Sequence, residues 1–275
     1  MLTASVVIHN TPIEKLQKTL DSLLKSSVSI VYIINNGSSD SLKQKMWNDK
    51  RIIYFHVENR GYGAAHNYAI KKAVSEGGDY HLVMNPDVYW DGAIPDNLME
   101  FLQNNPDVGL ISPKILYPDG SLQYSCRKLP CPMDLIGKRF LPDFLVKKRV
   151  NDFLLKNYDH TQPLDCPYLS GSFMLFRIKA LEDCGLFDER FFLYPEDIDI
   201  TRRIHDKWKT IYFPEETIFH EHQAASYKSL KMLIIHAVNM IRYFNKWGWI
   251  RDSQRKLFND RLCVQLKKKD FCRDN

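Results

Sequence analysis

Between residues 4 and 84 four short apolar runs, ASVVI, SIVYII, RIIYFHV and DYHLVM, alternate with segments of helical spacing. In TPIEKLQKTLDSLLK the residues Ile13, Leu16, Leu20, Leu23 and Leu24 recur at the period of an amphipathic helix. Thr11 and Glu14 there spell a capping box, with Pro12 at the first helical position. AAHNYAIKKAVSEG reads as a second helix, and a short helical segment precedes RIIYFHV. Strands alternating with helices in this way predict an α/β fold, a parallel sheet with helices on both faces. Ligands of such sheets bind outside the carboxyl ends of the strands. HNT, NNGSSD, NRGYG and NPD fall at those ends, so four polar loops are expected along one edge.

The second half is less regular. VGLISPKILYPDGSLQ reads as a strand and a hairpin around a Pro-Asp-Gly turn, YLSGSFMLFR as one strand, and IKALEDC as a short helix closed by Gly185. PEDIDITRRIHDKW is a helix starting at Pro195; KTIYF is a last strand, followed by PEETIFHEH. Residues 126–165 lack clear periodicity and are basic, as a variable insertion over a site would be. At 275 residues the chain can build one large α/β domain or two small ones, and 44% hydrophobic with 26% charged residues is not the composition of a disordered chain. The N-terminus lacks the basic and apolar regions of a signal peptide, and no uncharged apolar run approaches the ~20 residues that span a bilayer. The six cysteines show neither C-x-x-C pairs nor zinc spacing and read as reduced thiols of a cytoplasmic protein. Twelve Lys/Arg against four Asp/Glu fall in residues 223–275, a net +8 on a body of net −3.

Several short motifs carry chemistry, each with a plainer explanation beside it. GYGAAH after a strand nearly matches the dinucleotide fingerprint, with Asp87 about where a ribose-binding acid belongs, but His66 stands in place of the third small residue. In NPDV, Asn85 and Asp87 are two apart at a strand end and so point to one side. Together they offer oxygen ligands to Mg²⁺ or Mn²⁺, or they simply make a turn. FHEH places His220 and His222 after the last strand, without the H-E-x-x-H spacing of a zinc protease. In FDERFFLYPEDIDITRR, residues 187–203, Glu196 and Asp197 follow an aromatic run. Acids after Pro195 suit the first turn of a helix. Partial burial among rings would also raise a carboxyl pKa and make a better base. From these residues alone the pair is a cap, a metal site or a catalytic base.

Taken in order, VVIHN, INNGSSD, NRGYGAAHN, LVMNPDV, YLSGSFMLFR, GLFDERFFLYPEDIDITRRI and IYFPEETIFH closely resemble family 2 of the inverting glycosyltransferases, and within it the rhamnosyltransferase-type branch. The resemblance spans residues 4 to about 226. It implies a GT-A-type nucleotide-sugar fold, with a mixed, mostly parallel central sheet, helices on both faces and a C-terminal helical tail. On this resemblance His9, Asn10, Thr11, Asn35, Asn59, Gly61, His66 and Asn67 hold the base and ribose. Asn85 and Asp87 take the D-x-D position that binds the donor diphosphate through a divalent metal, Mg²⁺ or Mn²⁺, and His220 assists. Asp197 matches the catalytic base with Glu196 beside it, while Ser170, Gly171, Ser172 and Asp188 line the sugar end. The chain departs from the family at Asn35, where members usually have Asp against the base's imide, and at Asn85, which replaces the first acid of D-x-D. Both changes remove charge and so bear on base preference and metal affinity.

The implied activity moves a sugar, rhamnose among the candidates, from a nucleoside-diphosphate sugar to a glycan or lipid-linked glycan that is a cell-surface polysaccharide precursor. A nucleotidyltransferase would want a basic Gly-rich loop near the first strand, which HNTPIEK is not. A non-catalytic nucleotide-sugar-binding module sits badly with an intact Asp197. Nucleic acid is not an expected partner. The expected layout is a catalytic domain over residues 1–226 and a basic amphipathic helical tail over 227–275. In the tail Leu230, Leu233, Ile234, Ala237, Val238 and Ile241 form a stripe expected to pack on the catalytic domain. Met232, Ile235, Tyr243, Trp247 and Trp249, beside Lys246, Arg251, Arg255, Lys256 and the lysines at 267–269, form a second surface suited to peripheral contact with an anionic membrane, the inner face of the cell membrane.

Overall fold

The computed structural model describes residues 1–38, 49–137, 142–221 and 230–271. His222, the end of the NNGSSD loop and the short helical segment expected before RIIYFHV lie outside the described residues, as do the side chains of Leu230, Lys268 and Lys269. Strand β1 (Leu2–Ile8) leads through α1 (Ile13–Leu23) to β2 (Ile30–Asn35); β3 (Ile52–His56) leads through α2 (Tyr62–Ser75) to β4 (Tyr80–Met84) and β5 (Val88–Tyr89). Next come α3 (Ile94–Asn104), the hairpin of β6 (Val108–Leu116) and β7 (Leu122–Gln123), β8 (Cys126–Arg127) and α4 (Asp143–Phe153). The order continues with β9 (Leu164–Asp165), β10 (Tyr168–Leu169), β11 (Phe173–Arg177), α5 (Ile178–Cys184) and α6 (Glu196–His205). It ends with β12 (Lys209–His220), α7 (Leu230–Trp247) and α8 (Ser253–Phe271).

The central sheet runs β3-β2-β1-β4-β11-β6-β12-β5. Strands β3, β2, β1 and β4 are parallel, as crossover helices require. Strand β11 enters antiparallel between β4 and β6, and β12 runs parallel to β6. Alternate residues of each strand feed opposite core layers. Leu2, Ala4, Val6 and Ile8 pack with Leu16, Leu20 and Leu98, whereas Val83, Met174 and Phe176 pack with Ile70, Leu181 and Ile200.

Three local expectations are corrected. Helix α1 begins at Ile13 behind Pro12, with no side-chain cap. The Thr11 hydroxyl instead accepts the His9 N–H at 3.3 Å, closing the loop after β1. YLSGSFMLFR is two strands, because at its middle Ser170 N–H donates to Ser125 and Gly171 N–H to Asp197. The last strand does not stop at Phe213. It continues to His220 across a register shift between Phe213 and Thr217, where Pro214 has no N–H to give the ladder.

The tail exchanges part of its two expected faces. Ile234, Val238 and Ile241 are 55%, 40% and 49% exposed, while Tyr243 is buried with Phe244, Phe258, Ile198 and Tyr168. The reason lies on α6. Its buried Asp199 accepts Lys246 Nζ at 2.6 Å and Trp247 Nε1 at 2.8 Å, and also pairs with Arg203 at 2.9 Å. Its buried Arg202 grips Asp252 at 2.8 and 2.5 Å and lies 4.0 Å over the Trp247 ring. Leaving either charge of such a pair alone costs about 3–5 kcal/mol, so the tail is fastened rather than draped.

Beneath the sheet's loop edge runs a buried polar chain. Ser5 Oγ lies 2.7 Å from His66 Nδ1 and 2.8 Å from His81 Nε2, and His81 Nδ1 lies 2.7 Å from Thr3 Oγ1. Donation in one direction, from His66 through Ser5 and His81 to Thr3 and on to the Tyr80 carbonyl, satisfies every N–H and O–H in it. That arrangement needs both rings neutral, and burial pushes His81 down to about 3 and His66 well below its ordinary value. Because these folded-state values lie below the unfolded one of about 6.5, the stability they carry is complete above that pH and is lost as pH falls toward about 3. His81→Phe should cost about 1–3 kcal/mol near neutral pH by stranding Ser5 and Thr3. It should also make the fall of Tm between about pH 6.5 and 4.5 shallower than in the unchanged protein. An unaltered Tm and pH slope would contradict this account.

Candidate active site

The ends of β1, β2 and β3 bring one group of expected residues together. His9 Nδ1 lies 3.2 Å from the Asn36 carbonyl and 3.5 Å from Asn59 Nδ2. A Cβ on Gly37 would stand 2.9 Å from Asn10 Oδ1 and 3.0 Å from Asn35 Oδ1, so these loops can meet only over a glycine. Asn35 Oδ1 accepts the Gly37 N–H at 2.8 Å and its Nδ2 donates to the Tyr54 hydroxyl at 2.7 Å, which fixes the amide's orientation. Asn59 Oδ1 accepts the Gly61 N–H at 3.2 Å. Gly61 sits at φ 102°, and a Cβ there would fall 2.2 Å from the Phe192 carbonyl oxygen. That carbonyl takes the Tyr62 N–H at 2.9 Å. The start of α2 is therefore spent on the segment before Pro195, which removes the dinucleotide explanation of GYGAAH.

Two expected residues of this group lie elsewhere. His66 belongs to the buried chain with Ser5 and is fully enclosed. Asn67 is also buried, donating to the Phe187 carbonyl at 2.8 Å and accepting the Phe187 N–H at 3.0 Å. Both pin α2 rather than facing the loop edge, because the helix turns them toward the sheet and the segment at Phe187. Thr11 is committed to His9, as described above.

A second group forms where β4 and β12 end. His220 pairs in register with Val88, which places its ring beside Asp87. Its Nε2 lies 3.2 Å from Asp87 Oδ1 and 3.3 Å from Asn85 Nδ2, and its Nδ1 lies 2.8 Å from Gln123 Oε1. A ring that gives its Nδ1–H to Gln123 can present an Nε2 lone pair beside Asp87, the tautomer a metal ligand needs. Asp87 and His220 thus fit a divalent cation that draws further ligands from a bound phosphate. No group of three or more His, Cys, Asp or Glu suited to a metal occurs among the described residues. Gln123 was invisible in the sequence, being one residue of a two-residue strand.

The third group holds the carboxyl pair. Gly171 N–H donates to Asp197 Oδ2 at 3.1 Å and Ile198 N–H donates to Oδ1 at 2.8 Å. A Cβ on Gly171 would stand 3.1 Å from the Asp197 Cβ, so this approach also depends on a glycine. The Ser170 and Ser172 hydroxyls lie 3.2 Å apart, and the Ser172 carbonyl accepts the Asn85 N–H at 3.0 Å. Glu196 is buried, and its Oε2 has no partner among the described residues. Burial first, then the charge of Asp197, pushes Glu196 up to about 8. Burial raises Asp197 as well, opposed by the Gly171 N–H and the nearby charge of Arg127. Glu196 is thus the member that holds its proton at neutral pH, while the Gly171 N–H and Arg127 favour the charged form of Asp197. Arg127 is another residue that the sequence did not single out; it lies in the insertion, where no periodicity marks it. Asp188 stands apart, its oxygens taken by Arg190 at 2.6 Å and Lys246 at 2.8 Å, and these cations hold it well below the usual carboxylate range.

Because the folded-state value of Glu196 lies above its unfolded one, the stability it permits is complete below the ordinary glutamate range and is lost as pH rises through about 8. Glu196→Gln should therefore raise Tm at about pH 8.5 more than at about pH 5. An equal change at both would mean that Glu196 is ionised throughout.

Comparison with known proteins follows from this geometry. A family model described as Glycosyl transferase family 2 matches residues 3–185. The N-acetylglucosaminyl-diphospho-decaprenol L-rhamnosyltransferase of Mycobacterium tuberculosis is 30% identical over 237 residues, covering 80% of this chain and 76% of that protein. Among solved structures, the mannosyltransferase PcManGT of Pyrobaculum calidifontis in complex with GDP-Man and Mn²⁺ is similar with a TM-score of 0.57 at 18% identity, covering 88% of this chain and 64% of that one. GalNAc-T7 with UDP, GalNAc and Mn²⁺ gives a TM-score of 0.61 at 16% identity over 80% of this chain. The match covers 43% of that chain, so this protein spans less than half its length. At such identities the two structures speak for a GT-A-like fold alone. The family match takes in β1 through α5, with the loops after β1, β2, β3 and β4 that build the edge, and the chain belongs to glycosyl transferase family 2.

Proposed function

We propose that this glycosyltransferase moves a sugar of the rhamnose class from a nucleoside diphosphate to a lipid-diphosphate-linked sugar, with Asp197 as the base. The observation that carries this reading is the Asp197 carboxylate held by the Gly171 N–H on the same edge as Asp87 and His220. The lipid-linked acceptor is suggested by the name of the Mycobacterium relative. Asp87 and His220 would hold a divalent cation, which when bound neutralises charge on the departing diphosphate. The strand-end loops around His9, Asn35 and Asn59 would bind the nucleoside. An acceptor hydroxyl is a poor nucleophile until a positioned carboxylate takes its proton. Asp197 is the member whose charged form a backbone N–H and a nearby guanidinium favour, so it fills that role. Displacement from the face opposite the diphosphate inverts the anomeric carbon.

An acceptor on a lipid would be met at an anionic bilayer, and the tail supplies a surface for it. No helix of the described residues is long and apolar enough to cross a membrane. The exposed Ile234, Val238 and Ile241 of α7 continue into Trp249 and Ile250, the latter 89% exposed. Arg242 on α7, Arg251 in the connection after it and Lys256 on α8 are exposed as well. Apolar side chains among basic ones suit the headgroup layer, where each basic residue adds about 1 kcal/mol. Tyr243, Trp247 and Lys246 do not contribute, since they are engaged with α6.

Two experiments test these readings. Asp197→Asn should lower transfer about 10²–10⁴-fold while calorimetry shows nucleoside diphosphate and Mn²⁺ binding nearly as before. Transfer close to that of the unchanged enzyme would remove Asp197 from the chemistry. The protein should pellet with vesicles containing anionic lipid, salt should release it, and Val238→Asp with Ile241→Asp should weaken pelleting. A chain that stays in the supernatant with every vesicle has no such face.

A further inference from the structure

Tyr62 stands between the two halves of the site. Its hydroxyl lies 2.9 Å from Asn85 Oδ1 and 2.9 Å from the Gly171 carbonyl oxygen. Asn85 follows β4, two residues before Asp87, and its Nδ2 reaches His220 at 3.3 Å. Gly171 sends its own N–H to Asp197 at 3.1 Å. One phenol thus closes a run of polar contacts from Asp87 through His220, Asn85 and Gly171 to Asp197. The residue is fixed from behind: its N–H donates to the Phe192 carbonyl, and its ring meets His66 edge-on with centroids 4.4 Å apart. Burial, then the charges of Glu196, Asp197 and Asp87, push the phenol well above its ordinary value, so the hydroxyl keeps its proton. That single proton has two acceptors to serve.

We propose that Tyr62 is a positioning residue whose hydroxyl holds the Gly171 loop on Asp197 and the Asn85 amide at the donor end, so that one bridge aligns both. The Gly171 loop needs such a hold, because it is the break between β10 and β11, where regular strand structure lapses. The proposal rests on Asp197 being the base and extends that reading to a side chain whose hydroxyl bonds Asn85 and Gly171 rather than Asp197, Asp87 or His220.

Tyr62→Phe keeps the ring and removes the bridge. Loss of a well-aligned N–H on Asp197 disfavours its charged form, so the acid limb of the kcat profile should move to higher pH. At the optimum kcat should fall about tenfold, and the affinity for nucleoside diphosphate with Mn²⁺ should fall severalfold. Asn85→Ala removes only the donor end of the bridge. It should weaken nucleoside diphosphate binding and leave the acid limb where it was. An acid limb unmoved in Tyr62→Phe overturns the proposal, whatever the change in kcat or Tm. So does a limb that moves as far in Asn85→Ala as the proposal requires for Tyr62→Phe. Retained transfer in Asp197→Asn is a different failure, because it removes the base assignment itself.

Discussion

Two carboxyl groups on consecutive buried residues repel when both are ionised, and the cost grows as water is excluded. Glu196 and Asp197 resolve this by unequal surroundings. Glu196 Oε2 has no hydrogen-bond partner among the described residues. Asp197 receives one N–H from across the cleft and one from its own helix. Burial raises Asp197, and a carboxylate so raised is a stronger base than a solvated one. The glycine at 171 is part of the same solution. Any side chain there would press on Asp197 and push the donating N–H away.

The helix that presents this pair is held from its other side. Further along the same helix, Asp199 is fastened to Lys246 and Trp247, and Arg202 to Asp252. The C-terminal helices thereby become part of the housing of α6, and their aromatic residues fill a layer shared with Ile198 and Phe191. This explains why the stripe expected to pack is the one left outside. Hydrophobic periodicity alone favours Ile234, Val238 and Ile241 as the inward face, but buried ion pairs at Lys246 and Asp252 set the rotation of the tail instead.

The strand–helix alternation and the four polar strand ends were legible because each is a local pattern: β1 to β4 and their helices lie close to where the periodicity placed them. The acidic pair stood out for a different reason, as five carboxylates crowded among rings have little structural excuse. What stayed hidden depends on long-range approach. Gln123 reaches His220 from 97 residues away, and Gly171 reaches Asp197 across 26. Tyr62 reads as an ordinary helix aromatic until its hydroxyl is seen between Asn85 and Gly171. His66 misled in the opposite sense. A histidine in a polar loop motif invites a ligand role, yet the first turn of α2 rotates it into the core beside Ser5. The capping box at Thr11 failed because the hydroxyl found a closer use at His9.

The central claim is the division of charge between the two carboxyl groups, and carbon-13 NMR of the protein labelled at glutamate and aspartate side-chain carboxyls tests it most directly. The account predicts one glutamate resonance that titrates at about pH 8 and disappears in Glu196→Gln. Over the same range an aspartate resonance, absent from Asp197→Asn, should already report an ionised carboxylate at neutral pH. A Glu196 resonance that titrates in the ordinary glutamate range, or an Asp197 that keeps its proton while Glu196 ionises, would contradict it.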